Sequence, residues 1–104
     1  SARVPLVVGA ISEENCKPFL KLFNEIKKDD FLSKNITAAE IMPSGNVVLT
    51  NRSYDYKIVF GKPINVEKKL KNYKAFFQHA IKDTVIKSYK EVNVMFTQQV
   101  VCKK

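Results

Sequence analysis

The chain has 104 residues, 45% of them hydrophobic and 27% charged, which is enough for one domain with one core and too few for two. Its 18 Lys+Arg against 10 Asp+Glu give a net charge of +8, which points to an acidic partner: nucleic acid, an anionic membrane surface or an acidic protein. No apolar run reaches the ~18–20 residues that span a bilayer, and two cysteines with one histidine make neither a disulfide framework nor a zinc site.

The first residues, Arg3 to Gly9, read as a short extended entry. No signal-peptide pattern precedes them and the chain opens on Ser1, so a mature or excised piece of a longer protein is expected. Ser12-Glu13-Glu14 reads as a helix start, a cap followed by two acids where the macrodipole favours them. Cys16, Phe19, Leu20, Phe23 and Ile26 then recur at helical spacing, and Lys27-Lys28 suit a last turn. The spacing predicts a helix over 13–28, with Pro18 either in its first turn or at a kink. Asp29-Asp30 reads as its solvated end.

Three strands are predicted next. Asn35 to Met42 carries Ile36, Ala38, Ile41 and Met42; Pro43-Ser44-Gly45-Asn46 is a turn; Val47 to Thr50 is a β-branched run. Asn51-Arg52-Ser53 turns again, and Tyr54 to Phe60 alternates with Tyr56, Ile58 and Phe60 on one face. Such short connections imply an antiparallel meander. A second helix is predicted from Asn65, as cap, to about Asp83, with Val66, Leu70, Tyr73, Phe77 and Ala80 as its apolar stripe. Val85 to Tyr89 is a connection. One long strand, Glu91 to Cys102, closes the chain and would reach roughly 40 Å. The predicted fold is α+β, an antiparallel sheet with two helices packed against it in the order β-α-β-β-β-α-β.

The residues hold little catalytic chemistry. Cys16 and Cys102 both fall on apolar faces, where a free cysteine behaves as a small hydrophobe, and nothing pairs either with His79. A Cys16–Cys102 disulfide is open, since sequence does not set their separation. Glu13-Glu14 is a helix-start pair and not an acid–base pair. No catalytic residue, metal ligand or cofactor is assigned.

The charge is uneven. Lys62 to Lys90 holds eight lysines against Glu67 and Asp83. Lys68, Lys69, Lys71 and Lys74 mark the polar side of the second helix, and a small basic nucleic-acid-binding domain is the alternative reading. Against it, arginine occurs only as Arg3 and Arg52, and no aromatic RNA-binding signature is present. The closing strand is the stronger lead. It is long, nearly uncharged and β-branched, and at a sheet edge it would offer backbone groups to another chain.

Three stretches together resemble a known family. They are Lys57-Ile58-Val59-Phe60-Gly61-Lys62, the helix Glu67 to Phe77, and Tyr89 to Lys104 with its Gln-Val-Val-Cys-Lys-Lys ending. With the opening Val4-Pro5-Leu6-Val7-Val8-Gly9 they resemble the C-terminal part of the bacterial cell-division protein family FtsQ/DivIB, in the form found in Bacteroidetes. The resemblance covers 1–104 as one β domain. It implies a single-pass inner-membrane protein whose transmembrane helix and POTRA domain are absent from this chain, and a periplasmic location at the septum. It implies no enzymatic activity and no small-molecule substrate. The implied role is a divisome scaffold that binds FtsB- and FtsL-like partners and helps regulate septal wall synthesis.

In the family the FtsB segment adds a strand to the last strand of this domain. Carried over, the partner-binding residues are Val92, Asn93, Val94, Met95, Phe96, Thr97, Gln98, Gln99, Val100 and Val101, with Lys62 as a charge contact. The family's usual Val-Asp-Leu-Arg-Tyr is Val92-Asn93-Val94-Met95-Phe96 here, so the arginine is replaced by Met95 and the tyrosine loses its hydroxyl at Phe96.

Overall fold

The computed structural model describes residues 5–9 and 11–104, apart from the side chain of Asn15. Helix α1 spans Glu13–Lys28, with both acids in its first turn, both lysines in its last, and Pro18 inside it. Its inner face keeps Phe19 and Ile26 of the expected stripe, with Phe23 packed against the core, adds Leu22 and loses Leu20. Phe19, Leu22 and Ile26 are fully buried, whereas Leu20 is 53% exposed. Only the first three share a helical face toward the sheet; Leu20 is rotated off it.

The chain does not pass from α1 straight into a strand. The Asp29 carboxylate accepts a hydrogen bond from the Leu32 backbone N–H at 2.9 Å and caps a second helix, α2 (Asp30–Asn35). The acids expected at a solvated helix end thus start a helix, and the strand begins at Ile36. The later helix, α3, spans Val66–Ala80. Asn65 occupies its cap position, but with a left-handed backbone (φ 51°) and no side-chain capping bond. Asp83 caps a short 3-10 helix, Thr84–Ser88, in the connection that follows.

Six strands form one sheet among the described residues: β1 (Leu6–Gly9), β2 (Ile36–Ile41), β3 (Val47–Asn51), β4 (Lys57–Gly61), β5 (Glu91–Asn93) and β6 (Val101–Lys103), lying side by side in chain order. Of the expected entry strand, Arg3 and Val4 lie outside the described residues. The sheet is mixed, which corrects the expectation of an antiparallel one. β2–β3, β3–β4 and β5–β6 are antiparallel, but β1–β2 and β4–β5 are parallel. The cause is the helical connections. A helix between two neighbouring strands returns the chain to its starting end, so the second strand runs the same way as the first.

The helices share one core with one face of the sheet. Phe19, Leu22 and Ile26 of α1, Leu32 of α2 and Leu70, Tyr73 and Phe77 of α3 pack with Ala39, Leu49, Ile58, Phe60 and Val92. Inside this core lies a polar knot. The Asn51 side-chain nitrogen shares its two N–H groups among Asn35 Oδ1 (2.9 Å), the Tyr56 hydroxyl (3.0 Å) and the Tyr73 hydroxyl (2.8 Å). Its Oδ1 accepts from the backbone N–H groups of Ser53 and Tyr54, which shapes the β3–β4 turn. Three secondary elements therefore meet on one buried amide.

The long closing strand does not form. Glu91–Asn93 and Val101–Lys103 are separate strands that pair with each other, Glu91 opposite Lys103, Val92 opposite Cys102 and Asn93 opposite Val101. The reversal has one local and one distant cause. Asn93 Oδ1 accepts the Met95 N–H at 2.9 Å, an Asx-type turn that competes with extended pairing. Asn72 of α3 donates to the Thr97 carbonyl at 2.8 Å and holds the turn against the helix. The alternating apolar residues are real, but they belong to two strands of one hairpin.

Candidate functional site

The hairpin changes which backbone groups can meet another chain. β5 lies between β4 and β6, so both its edges are occupied. Val92 and Val94 are fully buried, and the Val94 N–H donates to the Val59 carbonyl at 3.0 Å. Of the expected rail Val92 to Val101, its first residues are thus core. β6 is the outer strand of the sheet on this side, paired to β5 on one edge only. The edge residues Cys102 and Lys103 were not among those expected. The signals for them were Asn93, a turn former, and Gln98-Gln99, where apolar alternation lapses.

At the turn of the hairpin Met95 and Phe96 are exposed, Phe96 by 52%. Met95 lies over Gly61, where φ is +77° and a Cβ would stand 2.8 Å from Met95 Cγ. The glycine is required twice, for its backbone and for the seat of the methionine. Lys62 follows directly. It is exposed, and its Nζ donates to the Ser44 carbonyl, tying the β2–β3 turn to the loop after β4. The structure thus brings Lys62, Met95 and Phe96 to one end of the sheet and leaves Val101 on the edge strand. Between α3 and the hairpin runs a groove of about 330 Å³, lined by Asn72, Phe76, His79, Gln98, Gln99 and Val100.

Beneath this corner is a lysine that the helical pattern placed on the solvent side. Lys69 is 2% exposed. Its Nζ donates to the carbonyls of Phe60 (3.1 Å) and Lys62 (2.9 Å) and lies 4.9 Å from the centre of the Phe60 ring. Burial holds its pKa below the usual lysine range. The Lys62 carbonyl also accepts the Ile64 N–H at 2.8 Å, so the ammonium is held by carbonyl oxygens and the Phe60 ring where β4 meets its turn. Lys74 is also engaged, with the Asp29 carboxylate. Of the four lysines of the nucleic-acid reading, Lys68 and Lys71 remain on the surface without an acidic partner among the described residues.

The edge itself is basic. Lys103 pairs with Glu91 at 3.6 Å, while Lys90 and Lys104 flank it exposed. Cys16 and Cys102 are free and half-buried, and burial pushes the Cys102 thiol up, away from the reactive thiolate. Among the described residues no group of His, Cys, Asp and Glu is placed to hold a metal ion, and no helix is long and apolar enough to cross a membrane.

No curated protein matches the sequence. A family model does, FtsQ/DivIB C-terminal related, over residues 1–103. That match spans the sheet, the helices and the closing hairpin together: the chain belongs to the FtsQ/DivIB C-terminal-related family, a scaffold family of bacterial cell division.

Proposed function

We propose that this chain is a non-catalytic interaction domain of the division machinery that takes up an extended segment of an FtsB- or FtsL-like partner by strand addition at β6. The observation that carries this reading is the position of Val101–Lys103: paired to β5 on one edge, with no strand on the other among the described residues. Backbone groups on such an edge form the same ladder with an incoming strand as they would within the sheet. Lys90, Lys103 and Lys104 favour encounter with an acidic segment. Phe96 and Met95, beside the edge, supply exposed apolar area for side-chain selection. Within the family frame, the chain is the periplasmic distal domain of a single-pass inner-membrane protein at the septum, and partner capture there helps regulate septal wall synthesis.

Backbone N–H groups alternate in direction along a strand, so Val101 and Cys102 point theirs to opposite edges. Proline at one removes an outward donor, and proline at the other breaks the β5–β6 ladder. The expected result is that one of Val101→Pro and Cys102→Pro keeps the melting temperature and loses binding of a labelled partner peptide from the same genome. If the variant that keeps its melting temperature also binds as well as the unaltered domain, strand addition at β6 is wrong.

A further inference from the structure

The sheet edge leaves most of the net charge unused. α1 and α3 are joined by the ion pair of Lys21 with Glu67 at 3.0 Å; Lys74 of α3 pairs with Asp29, the cap of α2, and Lys28 with Glu25 within α1. These pairs consume Glu25, Asp29 and Glu67. Beyond these pairs, Lys17 and Lys27 on α1 and Lys68 and Lys71 on α3 are exposed and have no acidic partner among the described residues. Leu20, 53% exposed, lies with Lys17, Lys21 and Lys28 in a shallow groove on α1.

The kind of anion that fits follows from three features. Every cation here is lysine, and neither helix contains an arginine, the side chain whose planar fork grips an individual phosphate or base edge. Lysine point charges suit a diffuse field of phosphates. The cations are spread over two helices, and the groove of about 580 Å³ between them carries Glu25, Asp29 and Glu67 beside its lysines, so it does not suit a strand of phosphates. The large exposed apolar group among them is aliphatic. Single-stranded nucleic acid is held by aromatic platforms, and the exposed phenylalanine of this domain, Phe96, is on the hairpin instead. An aliphatic side chain set among lysines is the pattern of a surface that rests in a lipid headgroup layer.

We propose that the outer face of α1 and α3 docks this domain onto an anionic phospholipid bilayer, with Lys17, Lys27, Lys68 and Lys71 as its cations and Leu20 entering the headgroup region. The docking face is formed by the helices and the partner edge by β6, so the two need not compete.

Co-sedimentation of the 104-residue chain with phosphatidylcholine vesicles, with and without phosphatidylglycerol, tests this. Binding is expected only where phosphatidylglycerol is present, and it should weaken steeply as salt is raised. Lys68→Glu/Lys71→Glu should weaken it by more than about 25-fold, since losing the two lysines alone costs roughly fivefold each. Lys57→Glu/Lys104→Glu, with the same net charge, should weaken it much less, and Leu20→Ser should weaken it while leaving the charge unchanged. Lys68→Gln/Lys71→Gln replaces the reversed pair if that pair lowers the melting temperature, and it should also weaken binding. Absence of vesicle binding, equal loss in the two charge-reversed pairs, or equal binding to phosphatidylcholine alone overturns the proposal. So does a fluorescent single-stranded oligonucleotide or a polyglutamate peptide that binds more tightly than the vesicles through the same lysines.

Discussion

Met95 rests where Gly61 has no side chain: a Cβ at residue 61 would come within 2.8 Å of Met95 Cγ and 3.2 Å of Met95 Cε, on a backbone with φ +77°. This contact links the end of β4 to the hairpin that carries the proposed edge. A methionine can shift, but the positive φ remains costly for any other residue. Gly61→Ala is expected to destabilise the domain by about 1–3 kcal/mol in urea unfolding, from the backbone alone. It should also move Met95, seen as a change in the chemical shift of its ε-methyl group.

The Asn51 amide is the joint between β3, α2 and α3. Removing it leaves Asn35 Oδ1 and two tyrosine hydroxyls to rearrange in a buried space, and frees the Ser53 and Tyr54 N–H groups of the turn. Asn51→Ala is expected to cost on the order of 3 kcal/mol by denaturant unfolding. The same cluster sets an alkaline limit. Burial pushes the Tyr73 hydroxyl up to about 12, against the pull of its hydrogen bonds to Tyr56, Asn51 and Asn35, and burial with the adjacent Tyr73 raises Tyr56 further. Both folded values lie above the unfolded one, so this stability is complete below about pH 10 and is lost as pH rises toward and through the folded values. Tyr73→Phe should lose less stability between about pH 9 and pH 11 than the unaltered domain does.

Lys69 acts with the opposite sign. Its ammonium is buried without a carboxylate beside it, and burial lowers its pKa. The unfolded chain therefore holds that proton more tightly. Folding gains stability as pH rises through the window between the lowered folded value and the ordinary lysine value of about 10.4. Lys69→Met lacks this gain. The difference in unfolding free energy between the two should shift toward the unaltered domain as pH rises toward about 10, and a constant difference would show that burial does not lower the Lys69 pKa.

Asp29 serves as a cap and as an ion-pair partner, and two variants separate these roles. Burial opposes its ionisation, but Lys74 together with the backbone N–H groups of Leu32 and Phe31 outweighs burial and holds the carboxyl below its usual range. A lowered folded value gives stability that is present above roughly pH 4 and lost as pH falls through the folded value. Asp29→Asn retains the cap and loses the pair; Asp29→Ala loses both. At neutral pH the alanine variant should cost about 1–2 kcal/mol and the asparagine variant less. In acid the asparagine variant and the unaltered domain should converge.

Local periodicity and turn chemistry made much of this fold readable in advance. The bounds of α1, the stripe Val66, Leu70, Tyr73 and Phe77, the turn at Pro43 to Asn46, and the buried set Tyr56, Ile58 and Phe60 all depend on residues within a few positions of one another. The family followed from short segments in a fixed order. What sequence could not provide depended on distant contacts. Asn72 pins a turn 25 residues away, and so one apparent strand becomes a hairpin whose apolar alternation is shared between two strands. The orientation of neighbouring strands followed from helices packing back across the sheet. Lys69 turned inward to the Phe60 and Lys62 carbonyls, nine and seven residues away in the chain. On this side of the sheet the outer strand among the described residues is therefore Val101–Lys103, and the run that begins at Val92 is interior. Sequence determined that an apolar, β-branched chain end would pair with something, and the tertiary structure decided that its first half pairs inside the domain.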